Sequence, residues 1–413
     1  MCNTRLSPSN WLFSLDWLPP STCLVGGTVR DALLQRKQQH LDLDFVLPTE
    51  AVETARKIAR HYQAGFVVLD AERRIARVVF PEGTADFAQI EGENLEADLR
   101  RRDYTVNAIA YNPHTAQFLD PLGGLEDLQR GVLRMVSPAN LEDDPLRLLR
   151  AYRQASQSNF TIDPTTRSTI RTLAPLLGKV AAERVQTELG YLLGSSPGSQ
   201  WLAAAWEDGL LSFWFESATA EDLRQVGKVD QAAQILGETW LELGKELKTP
   251  VGSQSTLAWQ SLAKLATLVS SVPEEAESQL EQLKYSRAEI GAVTTTVRHL
   301  PQLWEAASMT LREQYFFFVD VGEVFPCLVV LALAVGVEME TVAPLIERYL
   351  NPNDPVAYPT PLVTGKDLMR SLSLSPSPRI GKLLTEIQIA HIEGKISTPE
   401  DALKFAAKLI DYF

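Results

Sequence analysis

The chain has few of the residues that build metal–thiolate or disulfide frameworks. Its 413 residues include only three cysteines, Cys2, Cys23 and Cys327. They lie far apart, are odd in number and form no CxxC pair, which excludes a zinc-finger spacing and points to a reducing compartment. The five histidines are scattered without an HxxxH or His–Asp doublet, which argues against a histidine-built metal centre. Neither the GxxxxGK[ST] phosphate loop nor the GxGxxG dinucleotide turn occurs. No run of apolar residues reaches bilayer length. The longest, Val324 to Val337, contains Pro326 and is expected to be a buried core helix. The N-terminus lacks a basic stretch leading into an apolar run, so neither a signal peptide nor a membrane partner is expected. Positive charge is also short overall, with a net charge of −13, which disfavours an extended nucleic-acid-binding surface. The arginines cluster locally, however, at Arg100, Arg101 and Arg102 and again at Arg147, Arg150 and Arg153. One cationic cleft in an acidic body suits an anionic substrate held at a single place.

The length allows two to four domains. Residues 20–140 alternate strand and helix patterns. CLVGG reads as a strand, TVRDALL as a helix and LDLDFVL as a strand. EAVETARKIARHY is an amphipathic helix, and FVVLD, IARVVF and ADFAQI are strands separated by the turn-like AERR and PEGT. AQFLDP and VLRMV are further strand candidates. Beyond about residue 141 the strand signal fades and apolar residues recur at helical spacing. SSPGS (195–199), KTPVGSQS and NPNDPVAYPTP (351–361) read as loops, and the last isolates a small helical unit that begins at VTGKDLMR. The expected fold class is α+β, a small mixed-sheet head followed by an elongated all-helical region. The expected division is a head at 1–140, a helical neck at 141–200, a helical body at 201–350 and a helical tail at 351–413. Trp201, Trp206, Trp214, Trp240, Trp259 and Trp304 sit among helical apolar residues and read as core packing.

Asp42 and Asp44 stand in the middle of the apolar strand LDLDFVL. Alternation puts both on one face, roughly 6–7 Å apart, with Leu41, Leu43 and Phe45 on the other. Two carboxylates at that spacing repel unless a cation bridges them, and hard oxygen ligands suit Mg²⁺ held together with substrate phosphates. The alternative for a bare DxD is an edge strand with solvated acids. Just upstream, Gly26 and Gly27 close a strand and open a helix, where free N–H groups attract an anion. Arg30 follows one turn later. A phosphate cradle followed by an acid pair on the next strand is rarer than either feature alone. Asp86, on a strand expected to neighbour LDLDFVL, is the candidate third acid, with a surface aspartate as the alternative.

Further along, Asp144 and Arg147 are three residues apart and are expected to share a helix face. A carboxylate accepts from an exocyclic amino group, and a guanidinium donates to a ring nitrogen or carbonyl. Cytosine and adenine carry that pattern, whereas uracil and guanine present the reverse. Such a pair can accept C or A and reject U or G without a template, strongly where a buried partner would be left unpaired. An intrahelical ion pair on a solvated face is the alternative.

LVGGTVRD with DLDFV, RRDYTVNAIA, DPLGG, DDPLRLLRAYR and ERV occur in that order. The set resembles the class II tRNA nucleotidyltransferase and bacterial poly(A) polymerase family, of the DNA polymerase β-like superfamily. The resemblance is strong over residues 20–190 and weaker beyond. It implies a cytoplasmic, Mg²⁺-dependent enzyme that adds nucleotides from CTP, ATP or both to the 3′ end of tRNA, with release of pyrophosphate. By motif position, Gly26, Gly27 and Arg30 would meet the triphosphate and Asp42 and Asp44 the metals. Arg102 would contact phosphate, and Asp103 and Asn107 would position the ribose. Asp144 and Arg147 would face the base, with Arg150 and Arg153 nearby. The family has Glu-Asp where this chain has Asp143-Asp144, so only Asp144 is carried over. In the tail, Lys366, Arg370, Arg379 and Lys382 would meet tRNA phosphates, with ordinary helix-end charge as the alternative. Members add CC, A, CCA or poly(A). In this chain only AQIEGENL separates Phe87 from the next helix, where CCA- and A-adding relatives carry a longer segment, and this favours CC addition. A small-molecule nucleotidyltransferase and an inactive RNA-binding module are the other classes considered. Oligomeric state is not legible.

Overall fold

The computed structural model describes residues 6–36, 40–252 and 255–410. Cys2, and Ser253 and Gln254 of the KTPVGSQS loop, lie outside them. The chain divides into two compact units. One comprises residues 1–188 with 204–213, the other 189–203 with 214–413.

The first unit is built on a mixed sheet of seven strands in the order β3-β4-β5-β2-β1-β6-β7. The strands are β1 (Cys23–Leu24), β2 (Leu41–Leu47), β3 (Gly65–Asp70), β4 (Ile75–Phe80), β5 (Gly83–Gln89), β6 (Ala110–Asn112) and β7 (Gln117–Leu119). β2 and β5 run parallel, and every other pairing in the sheet is antiparallel. Between and after them come helices α1 (Gly26–Leu33), α2 (Ala51–Tyr62), α3 (Leu95–Leu99), α4 (Gly124–Arg130), α5 (Pro138–Asp143), α6 (Leu146–Ser158) and α7 (Pro164–Leu173).

Strand alternation sorts the sheet into two chemically different faces. Leu43, Phe45, Leu47, Ala76, Val78, Ala85 and Phe87 are buried on one of them. α2 covers that face, burying Ala51, Ala55, Ile58 and Ala59. Phe45 stacks on Phe87 at 5.3 Å, and Phe13 and Trp11 of the N-terminal segment close over Phe45. Each fully buried Phe side chain contributes roughly 1.5–3 kcal/mol, so this face anchors the sheet. The opposite face carries Asp42, Asp44, Arg77 and Asp86.

Two short strands, β8 (Val132–Leu133) and β9 (Thr161–Ile162), pair in parallel. β9 lies in the region expected to be wholly helical. Two-residue strands exist only through their partner, and no local periodicity marks them. DPLGG is a capped turn: both Asp120 carboxylate oxygens accept N–H bonds, from Gly124 and Leu125, at the start of α4.

Helices α8 (Ala182–Leu193) and α9 (Ser196–Glu207) follow. SSPGS was expected to be a loop, but Ser196 to Ser199 form the first turn of α9. Pro197 is tolerated there because the early N–H groups of a helix have no intrahelical acceptor, and the Ser195 hydroxyl accepts from the Gly198 N–H at 3.2 Å.

The second unit is helical: α10 (Ala220–Thr239), α11 (Leu241–Glu246), α12 (Trp259–Leu268), α13 (Pro273–Gln282), α14 (Arg287–His299), α15 (Leu311–Val321), α16 (Phe325–Val335) and α17 (Met339–Leu350), then α18 (Gly365–Leu372), α19 (Pro378–Ile392) and α20 (Pro399–Leu409). Residues 311–335 are apolar and long enough, by length and composition, to cross a membrane. They are interrupted at Gly322, which has φ +49°, and nearly all of α16 is buried against α10, α12 and α14. Lys264 is buried on α12, ion-paired with Asp230 at 2.7 Å and donating to the Ser195 carbonyl at 3.1 Å. Trp214 and Trp259 are buried as expected, but Trp304 is 56% exposed. It lies on an irregular 3-10 stretch, where helical spacing does not define an inward face. The last three helices share a core of Leu368, Ile380, Leu383, Ile387, Ala402 and Ala406. TGKD is a capping box, with Thr364 and Asp367 satisfying each other's backbone N–H.

Candidate active site

The site lies on the open face of the sheet in the first unit. The parallel register sets Asp44 directly opposite Asp86, and Asp42 opposite Thr84. The Thr84 hydroxyl donates to Asp42 at 2.8 Å. The Thr28 hydroxyl is 3.2 Å from an Asp44 carboxylate oxygen, and Thr28 also accepts the Asp44 N–H at 3.0 Å. Burial and the neighbouring Asp86 push the Asp44 carboxyl above its ordinary pKa; Arg102 and the Thr28 bond oppose this, and Asp42 adds to the rise. A carboxylate destabilised in this way is a ready partner for a cation. The donor set is all oxygen and fits a hard divalent ion. Among the described residues no group of three or more His, Cys, Asp or Glu side chains converges as a metal cage. The carboxylates of Asp42 and Asp44 are the acids of β2 on this face.

Asp86 is not idle. Arg77 grips it in a two-point fork, Nε to Oδ1 at 2.7 Å and Nη2 to Oδ2 at 2.8 Å. Sequence reasoning missed Arg77. The signal was a single arginine at an outward position of IARVVF, between the buried Ala76 and Val78.

Gly26 begins α1 with φ +68°. A Cβ there would lie 3.3 Å from the Arg102 guanidinium and 3.6 Å from the Asp44 carboxylate. Glycine is thus favoured by the left-handed backbone, and the Arg102 guanidinium would have to shift slightly to admit a side chain. Gly26, Gly27, Arg30, Asp44, Asp86, Arg102, Asp103, Asn107, Arg147, Arg150 and Arg153 all line one cavity of about 500 Å³. Asp42 shares the face but is not among the lining residues.

Several of these side chains are tied to one another. Arg30 is buried and donates four hydrogen bonds, two to Asp31 and one each to Asn107 (2.7 Å) and Gln154 (3.2 Å). Asn107 in turn donates to Asp103 (2.8 Å) and Gln154 (2.9 Å). Burial alone would raise the Asp103 pKa, but Arg150, Asn107, the Tyr104 N–H and Arg147 hold it below the usual value. Arg150 lies 3.5 Å from Asp103 and reaches toward Glu188, which also pairs with Arg153. The Nε atoms of Arg102 and Arg150 are buried without a hydrogen-bond partner. Buried donors on a cation are costly to leave without a partner; the Arg150 Nε lies 3.9 Å from Glu188.

A second cavity of about 730 Å³ shares Arg102 and Arg147 with the first and adds Asp143, Asp144, Arg101 and Arg184. Asp144 and Arg147 come together with 3.9 Å between charged atoms. They do not share a helix as expected. Asp144 is extended, at φ −135° and ψ 91°, between α5 and α6. The cause is Pro145, whose ring bars the preceding residue from helical geometry. Its carboxylate accepts the Leu146 N–H at 3.3 Å just before α6 and is held from the other side by Arg184 at 2.9 Å. Arg147 is anchored on the carbonyls of Arg101 and Asn140. Arg184 was quoted within ERV without a role. Lys366 and Arg370 on α18, and Arg379 and Lys382 on α19, are exposed in the second unit.

An acid pair on a mixed sheet, a glycine-opened helix beside it and arginines around one cleft define a nucleotidyltransferase head of the DNA polymerase β type. Family models match in the same places: a poly(A) polymerase head domain over residues 22–134, a probable RNA- and SrmB-binding site of polymerase A over 159–221, and a putative second domain of tRNA nucleotidyltransferase over 253–406. A CC-adding tRNA nucleotidyltransferase of Synechocystis is 52% identical over 401 residues, covering 96% of this chain and 95% of its own. An A-adding tRNA nucleotidyltransferase of Deinococcus radiodurans is 33% identical, over 94% and 96% of the two chains. A solved CCA-adding enzyme with CTP superposes with a TM-score of 0.73 at 21% identity, over 95% of this chain and 91% of that one. The chain belongs to the tRNA nucleotidyltransferase and poly(A) polymerase family, whose nucleotidyltransferases generally depend on a divalent metal.

Proposed function

We propose that this protein is a cytoplasmic, Mg²⁺-dependent enzyme that adds two cytidines from CTP to the 3′ end of tRNA and stops. The observation that carries the chemistry is the Asp42–Asp44 pair on the open sheet face. It stands beside the Gly26 turn and a cleft whose buried arginine donors lack partners. The stop after CC is supported by the 52% identical relative and by the link from β5 to α3, which is residues 90–94 alone.

Mg²⁺ would be held by Asp42 and Asp44 and would neutralise charge on the attacking and leaving oxygens. The protein's own groups do the positioning. The opening turn of α1 receives the triphosphate, because Gly26 and Gly27 leave the backbone uncovered. Arg102 meets a phosphate with its unpartnered Nε. Asp103 and Asn107, fixed by Arg30, Gln154 and Arg150, present a rigid wall to the ribose. Asp144 accepts the amino group of cytosine, and Arg147 donates to its ring. With the nucleotide held in this way, the RNA 3′-hydroxyl attacks the α-phosphate in line, a new P–O bond forms and pyrophosphate departs. The catalysis is positioning and charge stabilisation. The exposed Lys366, Arg370, Arg379 and Lys382 meet the tRNA backbone.

The test uses purified protein and tRNA lacking its last three nucleotides, with CTP and ATP supplied singly and together. Two added cytidines and no more, with or without ATP, is the expected product. A terminal adenosine after CC, or repeated adenosines, replaces this reading with CCA or poly(A) addition.

A further inference from the structure

Arg77, Asp86 and Asp44 form one row across the sheet. Arg77 on β4 faces Asp86 on β5, and Asp86 faces Asp44 on β2, with strands about 4.8 Å apart. The two-point fork of Arg77 engages one lone pair on each Asp86 oxygen, which leaves each oxygen a single remaining pair, offsets the carboxylate charge and fixes its plane, so Asp86 is a poorer ligand for a hard cation than a free carboxylate. Asp86 is well enclosed, with 22% of its side chain exposed, while Arg77 is at 42%. Asp42, Asp44 and Asp86 stand on the adjacent strands β2 and β5, and among the described residues they do not converge as a metal cage.

From this we infer that Arg77 is a positioning residue that withholds Asp86 from the divalent cation. The cation is then held by Asp42 and Asp44 together with substrate oxygens, and Asp86 stays a fixed, counter-charged neighbour. Two carboxylates alone bind such an ion weakly, so the ion arrives with the triphosphate and not ahead of it. This rests on the reading that Asp42 and Asp44 are the metal ligands.

The test is a titration of the full chain with Mn²⁺ alone, counting free Mn²⁺ by electron paramagnetic resonance. It compares wild type, R77L, R77K, D86N, the R77L/D86N double variant and D44N. D86N is expected to stay within about threefold of wild type. R77L is expected to bind Mn²⁺ about five- to tenfold more tightly, a coupling of ordinary size for touching charged residues. R77K, which cannot form the fork, falls between the two. The double variant returns to wild-type affinity, because the gain operates through Asp86. A tenfold loss in D86N shows that Asp86 is already a ligand and overturns the inference. So does an R77L gain that persists in the double variant, since Arg77 would then act through charge alone, and so does the absence of any gain in R77L and R77K. Binding that survives D44N removes the metal assignment itself, and the inference with it. Binding lost in D44N and weakened tenfold in D86N overturns the inference alone.

Discussion

Asp44→Asn should make the metal-free protein more stable while abolishing nucleotide addition. Asp44 sits directly across from Asp86 and on the same face as Asp42. Facing side chains on neighbouring strands are about 5 Å apart. At an effective dielectric of about 20–40, one such like-charge pair costs roughly 2–3 kcal/mol. Arg102 recovers a comparable amount, and burial adds a further penalty. Asparagine keeps the shape and an acceptor for the Thr28 hydroxyl. The net gain is about 1 kcal/mol, or about 2–4 °C in melting temperature for a unit of this size. Mg²⁺ reverses the balance. At ten times its dissociation constant it adds about 1.4 kcal/mol to a protein that binds it, and the variant lacks that response. The assay is a thermal melt of both proteins in chelator and in excess Mg²⁺. The variant should melt higher in chelator, and the difference should close with Mg²⁺. A variant that melts lower in chelator, or responds to Mg²⁺ as wild type does, refutes the account of Asp44 as a strained carboxylate awaiting a cation.

Two further outcomes follow from other parts of the site and its support. Arg147→Ala should reduce discrimination of CTP over UTP by about 10- to 100-fold, because the donor that complements cytosine is gone; kcat/KM for each nucleotide measures it, and unchanged selectivity would place base reading elsewhere. Asp208 has a fully buried side chain that accepts from Arg167, Arg171 and Tyr152. Burial alone would raise its pKa, but these bonds hold it below the ordinary value. A depressed folded pKa gives stability that is complete above the unfolded value of about 4 and is lost as pH falls through the folded value. Asp208→Asn should therefore cost about 1–3 kcal/mol near neutrality, with the gap narrowing below about pH 4 in melts recorded from pH 7 to pH 3.

Strand alternation made the carboxylate face readable, because LDLDFVL leaves one register that buries its apolar half. The helix start at Gly26, the helical unit that begins at VTGKDLMR and the loop 351–361 were legible for similar local reasons. Most of what was not read depended on partners distant in sequence, and one element on a neighbouring proline. Thr161 and Ile162 become a strand only beside Val132 and Leu133. Arg77 drew no reading from sequence, and β5 places Asp86 across from it. Asp144 was assigned to a helix by its spacing from Arg147, and Pro145 overrode the spacing. Arg30 looked like a phosphate ligand, yet most of its donors are engaged within the protein. Two of those bonds go to the adjacent Asp31, and the other two to Asn107 and Gln154, 77 and 124 residues away.

That same set of buried bonds, running from Arg30 through Asn107, Gln154 and Asp103 to Arg150, joins the helix that opens at the glycine turn to the helix that carries Arg147. No member can turn to a new acceptor without leaving another polar atom bare in the interior. A change of letter preference at the base-reading end therefore disturbs the seat of the triphosphate as well. Altered choice of nucleotide in this fold should arise first outside the relay, through residues that steer Asp144 from its exposed side.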